Sequence, residues 1–237
     1  MTAGPLYLIP VVLTDDMPEA VLPEGVLRVA RSLAYFIVEN AKTARGELKR
    51  MGHPLPMREL DIRELPTEAG PADLDALLAP LMAGVPGGLM SEAGVPAVAD
   101  PGARLVRAAH DKGIRVIPLV GPSSILLALM ASGLEGQRFA FHGYLPIKAP
   151  ERHRRIVELE KQSRRDRATQ IFIETPYRGT QLFQALLDAC QPDTRLCVAV
   201  DLTSAHESIA TRSVADWRAA GGPDLEKRPA VFLLLAE

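Results

Sequence analysis

Short apolar runs alternate with longer amphipathic segments along most of the chain, and no other feature restricts the fold as strongly. LYLIPVVL (6–13), AYFIVE (34–39), GGLM (87–90) and IRVIPLV (114–120) read as buried strands. EGVLRVARSL (24–33), KTARGELKRMG (42–52), PADLDALLAPLMAG (71–84) and ARLVRAAHDKG (103–113) carry helical spacing, and three of them end at a glycine. A β-α-β-α-β order predicts a mostly parallel, doubly wound sheet, because parallel neighbours need a crossover, usually helical. The second half repeats the alternation. Strands are expected at 138–146, 169–175, 195–203 and 229–237, helices at 151–167 and 178–190, and a strand then a turn at 206–214. PLVGPSS (118–124) marks the boundary. The expected architecture is α/β: two α/β lobes with mostly parallel sheets, residues 1–119 and 120–237, and an active-site cleft between them.

Composition narrows the function. The chain has 237 residues, 47% of them hydrophobic and 24% charged, with a formal net charge of −2. That balance is globular, and no global basic field advertises nucleic acid, so any such contact must be local. Cys190 and Cys197 are too few for a disulfide framework and read as reduced core thiols. MTAGPLYLIPVVLTDD has no basic region ahead of its apolar stretch, so no signal peptide is expected. No run reaches the roughly 18 apolar residues of a membrane span. A cytoplasmic protein without a membrane partner is the expectation. The histidines at 53, 110, 142, 153 and 206 show no ligand spacing, so no metal is expected either.

Three loops carry the chemistry. MSEAGVPAVADPG (90–102) leaves a strand at the sheet edge where ligands settle in open α/β folds. Gly94 permits a sharp turn or a close approach to a ligand. Asp100-Pro101 reads as helix-start chemistry. VGPSSILLALMASG (120–133) sets the Ser123 and Ser124 hydroxyls at the positive end of a helix, with Pro122 in its first turn. IETPYRGTQLF (173–183) places Arg178 at a helix start, against the dipole. It serves there either to pack on Glu174, to hold a substrate, or simply as a surface cation.

Taken in order, MSEAGVPAVADPGARLVRAA, VIPLVGPSSILLALMASGL, RFAFHGYLPIK and IFIETPYRG resemble the successive signatures of the tetrapyrrole methylase superfamily. The branch they are most similar to contains the small-subunit ribosomal RNA cytidine 2′-O-methyltransferases. The resemblance runs from about residue 85 to the C-terminus. It implies a tetrapyrrole methylase-like fold, S-adenosyl-L-methionine held in the cleft, and a homodimer, to which the apolar helix 125–134 could contribute. It also implies cofactor-binding roles. Ser91, Glu92, Ala93 and Gly94 match the loop at the methionine end, where the family usually has Asp in place of Glu92. Ser123 and Ser124 match the loop after the central strand. His142, Gly143 and Tyr144 match the first strand of the second lobe. Pro229 and Ala230 match the start of the last strand, where backbone groups read adenine. Pro10 lies in the first loop.

The chain departs from the branch on the substrate side. Val-Val-Leu stands where the branch has Gly-Asn-Leu, Glu39-Asn40-Ala41-Lys42 replaces an acidic motif ending Asp-Thr-Arg, and Asp201-Leu202-Thr203-Ser204 lacks a lysine. Asp16, Glu39 and Arg178 are the catalytic candidates. Eight Lys and Arg lie between Lys148 and Arg167, among them Arg152, Arg155 and Arg164. This stretch is either an RNA-binding face or a solvated amphipathic helix resting on Ile156 and Leu159. Three functions stay open: an S-adenosylmethionine-dependent methyltransferase of ribosomal RNA, one of a small metabolite, and a catalytically inactive cofactor-binding paralogue.

Overall fold

The computed structural model describes residues 2–15 and 17–237. It divides into two compact units, Met1–Ser123 and Ser124–Glu237. The first contains β1 (Leu6–Leu8), α1 (Pro18–Val21), α2 (Glu24–Ser32), β2 (Tyr35–Val38), α3 (Ala41–Arg50), β3 (Asp61–Glu64), α4 (Pro71–Met82), β4 (Gly87–Met90), α5 (Gly102–Asp111) and β5 (Val116–Pro118). Its sheet runs β3-β2-β4-β1-β5, and every pairing is parallel, as the alternation predicts.

β2 shows why this sheet forms. All four of its residues, YFIV, are buried, the continuous apolar run that a strand covered on both faces requires. Phe36 and Val38 pack with Leu27, Ala30, Ala44 and Leu48 of α2 and α3. Tyr35 and Ile37 pack on the other face with Leu77, Leu81 and Leu105 of α4 and α5. The Tyr35 hydroxyl donates to the Leu77 carbonyl at 2.6 Å, and burial pushes its pKa up to about 12. β3 is not foreshadowed by the alternation. Its sequence, DIRE, is largely exposed and charged, which blunts the sheet edge.

The second unit contains α6 (Ser124–Ser132), β6 (Phe139–Tyr144), α7 (Ala149–Asp166), β7 (Thr169–Glu174), α8 (Gly179–Ala189), β8 (Arg195–Val200), β9 (Ser208–Ser213), α9 (Val214–Ala220) and β10 (Ala230–Leu235). Its sheet runs β6-β7-β10-β8-β9. The expectation of a mostly parallel sheet fails here: only β6–β7 is parallel, and the other three pairings are antiparallel. β7 and β8 do run the same way, joined by α8, but β10 inserts between them in the opposite sense. The 201–207 connection is too short for a crossover, so β8 and β9 pair as a hairpin. A core of Ile156, Leu159, Leu182, Leu186 and Trp217 covers one face of this sheet through Phe172, Val198 and Phe232. Phe172 and Phe232 stack with centroids 6.1 Å apart, and Trp217 meets Phe183 edge-on at 5.4 Å. Cys190 and Cys197 are buried free thiols, and burial pushes Cys190 up to about 12. Among the described residues no helix is long and apolar enough to cross a membrane.

Candidate functional site

Beyond the carboxyl ends of β1, β4 and β5 three loops close on one another. The chain leaving β1 runs through Ile9, whose N–H donates to the Leu89 carbonyl at 2.9 Å. It then reaches Val11, whose N–H donates to the Gly94 carbonyl, also at 2.9 Å. Gly94 has φ +70°, and a Cβ built there would stand 3.1 Å from Leu13 Cδ2 and 3.3 Å from the Pro122 carbonyl oxygen. Gly121 lies flatter still against the first loop: a Cβ on it would fall 2.2 Å from that of Pro10. Pro10, Ser91 and Gly94 are buried in this junction, whereas Glu92 and Ala93 are exposed. Ser91 Oγ donates to the Ala93 carbonyl at 3.2 Å and tightens the turn.

Three carboxylates flank this loop. Glu39, just past β2, accepts the Glu92 N–H at 2.7 Å, and Thr43 Oγ1 donates to the Glu92 carboxylate at 3.3 Å. Asp100 accepts from Ala97 N–H at 2.8 Å and from Gly102 N–H at 2.7 Å, the helix-start capping read from its sequence. Burial raises the pKa of both Glu39 and Asp100, and the neighbouring charges of Asp100 and Glu92 push Glu39 further in the same direction. Between Gly94 and Asp100 the backbone is strained: Ala97 and Ala99 hold φ of 67° and 64°. Sequence reasoning missed this strain, since nothing in Ala-Val-Ala signals a left-handed backbone. Asp16 lies outside the described residues.

In the second unit, Ser124 opens α6, so Pro122 and Ser123 precede the helix rather than forming its first turn. Gly143, with φ +64°, sits in a bulge between Phe141 and Tyr144 that re-aims the end of β6. His142 Nε2 bonds Gln170 Oε1 at 2.6 Å, and Arg155 reaches its other ring nitrogen at 3.3 Å. Arg178 binds Glu174, whose side chain is 2% exposed, through contacts of 2.6 and 3.0 Å. Of the three roles open to it, packing on Glu174 is the one the geometry displays. Pro229 is exposed and Ala230 buried; the Pro229 carbonyl accepts the Asp201 N–H at 3.1 Å. Sequence reasoning also missed Arg228, which pairs with Asp201 at 2.7 Å on the wall of a cavity of about 590 Å³ lined by His206, Glu207 and Asp224. The departure at Asp201-Leu202-Thr203-Ser204 was the only signal there. No group of three or more His, Cys, Asp or Glu able to hold a metal occurs among the described residues.

A parallel five-stranded sheet followed by a mixed one is the fold of a known methyltransferase. The crystal structure of the methyltransferase CobJ matches 99% of this chain and 95% of its own with a TM-score of 0.64, at 15% sequence identity. That identity speaks for the fold alone. Closer relatives are found in sequence. A ribosomal RNA small subunit methyltransferase I from Pseudomonas aeruginosa is 31% identical over 93% of this chain and 75% of its own length. The protein of that name from Mesorhizobium japonicum is 41% identical over 65% of this chain, a match that spans 50% of the relative. The chain belongs to the ribosomal RNA small subunit methyltransferase I family, within the tetrapyrrole methylase superfamily. No family model matches it. The family places the chain among methyltransferases.

Proposed function

We propose that the chain binds S-adenosyl-L-methionine at the carboxyl edge of its first sheet and methylates small-subunit ribosomal RNA. The observation that carries this reading is the closure of the Ser91–Gly94 loop on the loop after β1. Gly94, at φ +70°, is crowded by Leu13 and the Pro122 carbonyl, and the turn sets the exposed Glu92 and Ala93 beside three carboxylates. The fit to the cofactor is chemical: the exposed Glu92–Ala93 turn offers main-chain groups to a ligand, and anionic Glu39, Glu92 and Asp100 favour a cationic sulfonium end. When bound, the cofactor supplies an activated methyl group. The protein's part is to hold the acceptor hydroxyl in line and to take its proton. Glu39 acts by positioning, because its carboxylate already accepts the Glu92 N–H. The names of the relatives and the exposed cations at the start of α7 and along it, Lys148 and Arg154 among them, support RNA as the acceptor.

The test is incubation with tritiated cofactor and small-subunit ribosomal RNA lacking the modification. Label in the RNA is the expected result. Cofactor binding by calorimetry without label in RNA would leave a small acceptor or a binding-only protein. Absence of cofactor binding would overturn the whole reading.

A further inference from the structure

The basic α7 segment contains one arginine unlike the rest. Arg152 reads from sequence as a solvated phosphate contact, yet it is 4% exposed. Its Nη1 donates to the Ile147 carbonyl at 3.1 Å and to Gln181 Oε1 at 3.4 Å, both neutral acceptors, and its buried Nε has no partner. Half-buried Arg178 and Arg228 each hold a carboxylate, Glu174 and Asp201. Arg152 makes no ion pair among the described residues. A buried cation without a counter-charge is costly, and an anion from outside would supply the missing counter-charge.

The surroundings add to the positive potential. Arg152 stands in the first turns of the 18-residue α7 and reaches the first turn of α8, and neither helix has a side-chain cap at its start. Through Gln181 the guanidinium joins the starts of two helices, whose dipoles are positive at that end. Lys148, at the start of α7, has a side chain 80% exposed and meets Glu151 at 3.8 Å. Beside this corner, Tyr177 is 84% exposed immediately before α8. An exposed ring next to an anion site suits a nucleic acid, which offers a phosphate and a base together.

We propose that the α7–α8 corner of the second unit grips a backbone phosphate of single-stranded RNA on Arg152, with a base stacked on Tyr177; the identification of RNA rests on the function proposed above. The probes are a fluorescein-labelled single-stranded RNA, titrated at several salt concentrations, and inorganic phosphate in thermal denaturation. Gln181 is exposed, so Gln181→Glu leaves the fold intact while giving Arg152 an internal counter-charge. It should weaken RNA binding roughly tenfold and lower the salt slope by about one. Tyr177→Ala should cost a similar factor without changing the slope, by about the worth of one stacked base. Neither change should alter affinity for S-adenosylmethionine. Phosphate should protect wild type and Tyr177→Ala but not Gln181→Glu. Wild-type RNA affinity and slope in Gln181→Glu would overturn the proposal, as would an equal loss of cofactor affinity. If wild type binds no RNA, the proposed substrate falls by itself. Equal phosphate protection of wild type and Gln181→Glu would then sink the anion corner as well.

Discussion

Gly94→Ala, with Gly113→Ala as its control, isolates the contact on which the proposed cofactor loop depends. Both glycines lie in the first unit with left-handed φ, +70° and +68°. An alanine in that region costs about 1 kcal/mol or slightly more relative to glycine. A Cβ on Gly113 meets nothing within 4 Å, so the backbone cost is the whole effect there. On Gly94 the same atom stands 3.1 Å from Leu13 Cδ2 and 3.3 Å from the Pro122 carbonyl. The leucine can turn aside. The carbonyl is backbone, and displacing it adds about 1 kcal/mol of overpacking. Gly94→Ala should therefore cost about 2 kcal/mol against about 1 for Gly113→Ala. The only tryptophan, Trp217, is in the second unit and does not report this unfolding. Hydrogen exchange at β1 and β4 amides in urea does. Calorimetry then compares cofactor affinity, which should fall at least roughly tenfold in Gly94→Ala and not change in Gly113→Ala. Equal stability losses together with unchanged affinity in Gly94→Ala would refute both the packing and its connection to binding.

Arg178→Ala leaves the Glu174 carboxylate buried and unpaired, so urea unfolding should show a loss of about 3 kcal/mol, largely restored in Arg178→Lys. A near-neutral change would show that Arg178 is held for substrate rather than for Glu174. Glu39→Gln keeps an acceptor for the Glu92 N–H and removes the buried charge. Because Glu39 is raised in the fold, its stabilising contribution is fully present below its ordinary 4.5 and is lost as pH rises through the folded value. Wild type should thus gain stability on acidification through that window, and Glu39→Gln should show a smaller gain in pH-dependent denaturation. Leu126 and Met130, 51% and 79% exposed on α6, fit the homodimer implied by the resemblance. Sedimentation at micromolar concentration should find a dimer, weakened by Met130→Glu.

Where apolar periodicity was strong, the sequence foretold the element. β2, β4, α5 and α8 lie within two residues of their expected bounds, because burial on two faces or one stripe dictates their pattern. β3 escaped, since an exposed edge strand has no apolar pattern to show. α9 escaped as well: seven residues, VADWRAA, are too few for helical spacing to register, and it is held by Trp217 Nε1 donating to the Leu196 carbonyl. The insertion of β10 between β7 and β8 is a long-range pairing with no local signature. At the site, the loop types were legible because Gly, Pro and capping Asp report backbone demands directly. The partners of Glu39, Arg152 and Arg178 were not. Which carboxylate or carbonyl a long side chain meets depends on how separate strands come together, and spacing along the chain is silent on that.

The acids beside the loop after β4 are better understood as supports than as bases. Ala97 and Ala99 each hold a backbone conformation that costs on the order of 1–2 kcal/mol for an L-residue. Such strain persists only when fixed points on both sides over-determine it. Upstream, the Val11–Gly94 bond is one such point. Downstream, Asp100 is the other, one oxygen on Ala97 N–H and the other on Gly102 N–H at the start of α5. Glu39 fixes the middle through Glu92 N–H. Burial disfavours the ionised forms of Glu39 and Asp100, while these N–H donors favour them. Desolvation outweighs the donors, so both carboxyls are held above their usual range inside one strained turn. Asp100 has both oxygens engaged by N–H donors and Glu39 has one, so each is placed first to hold the loop.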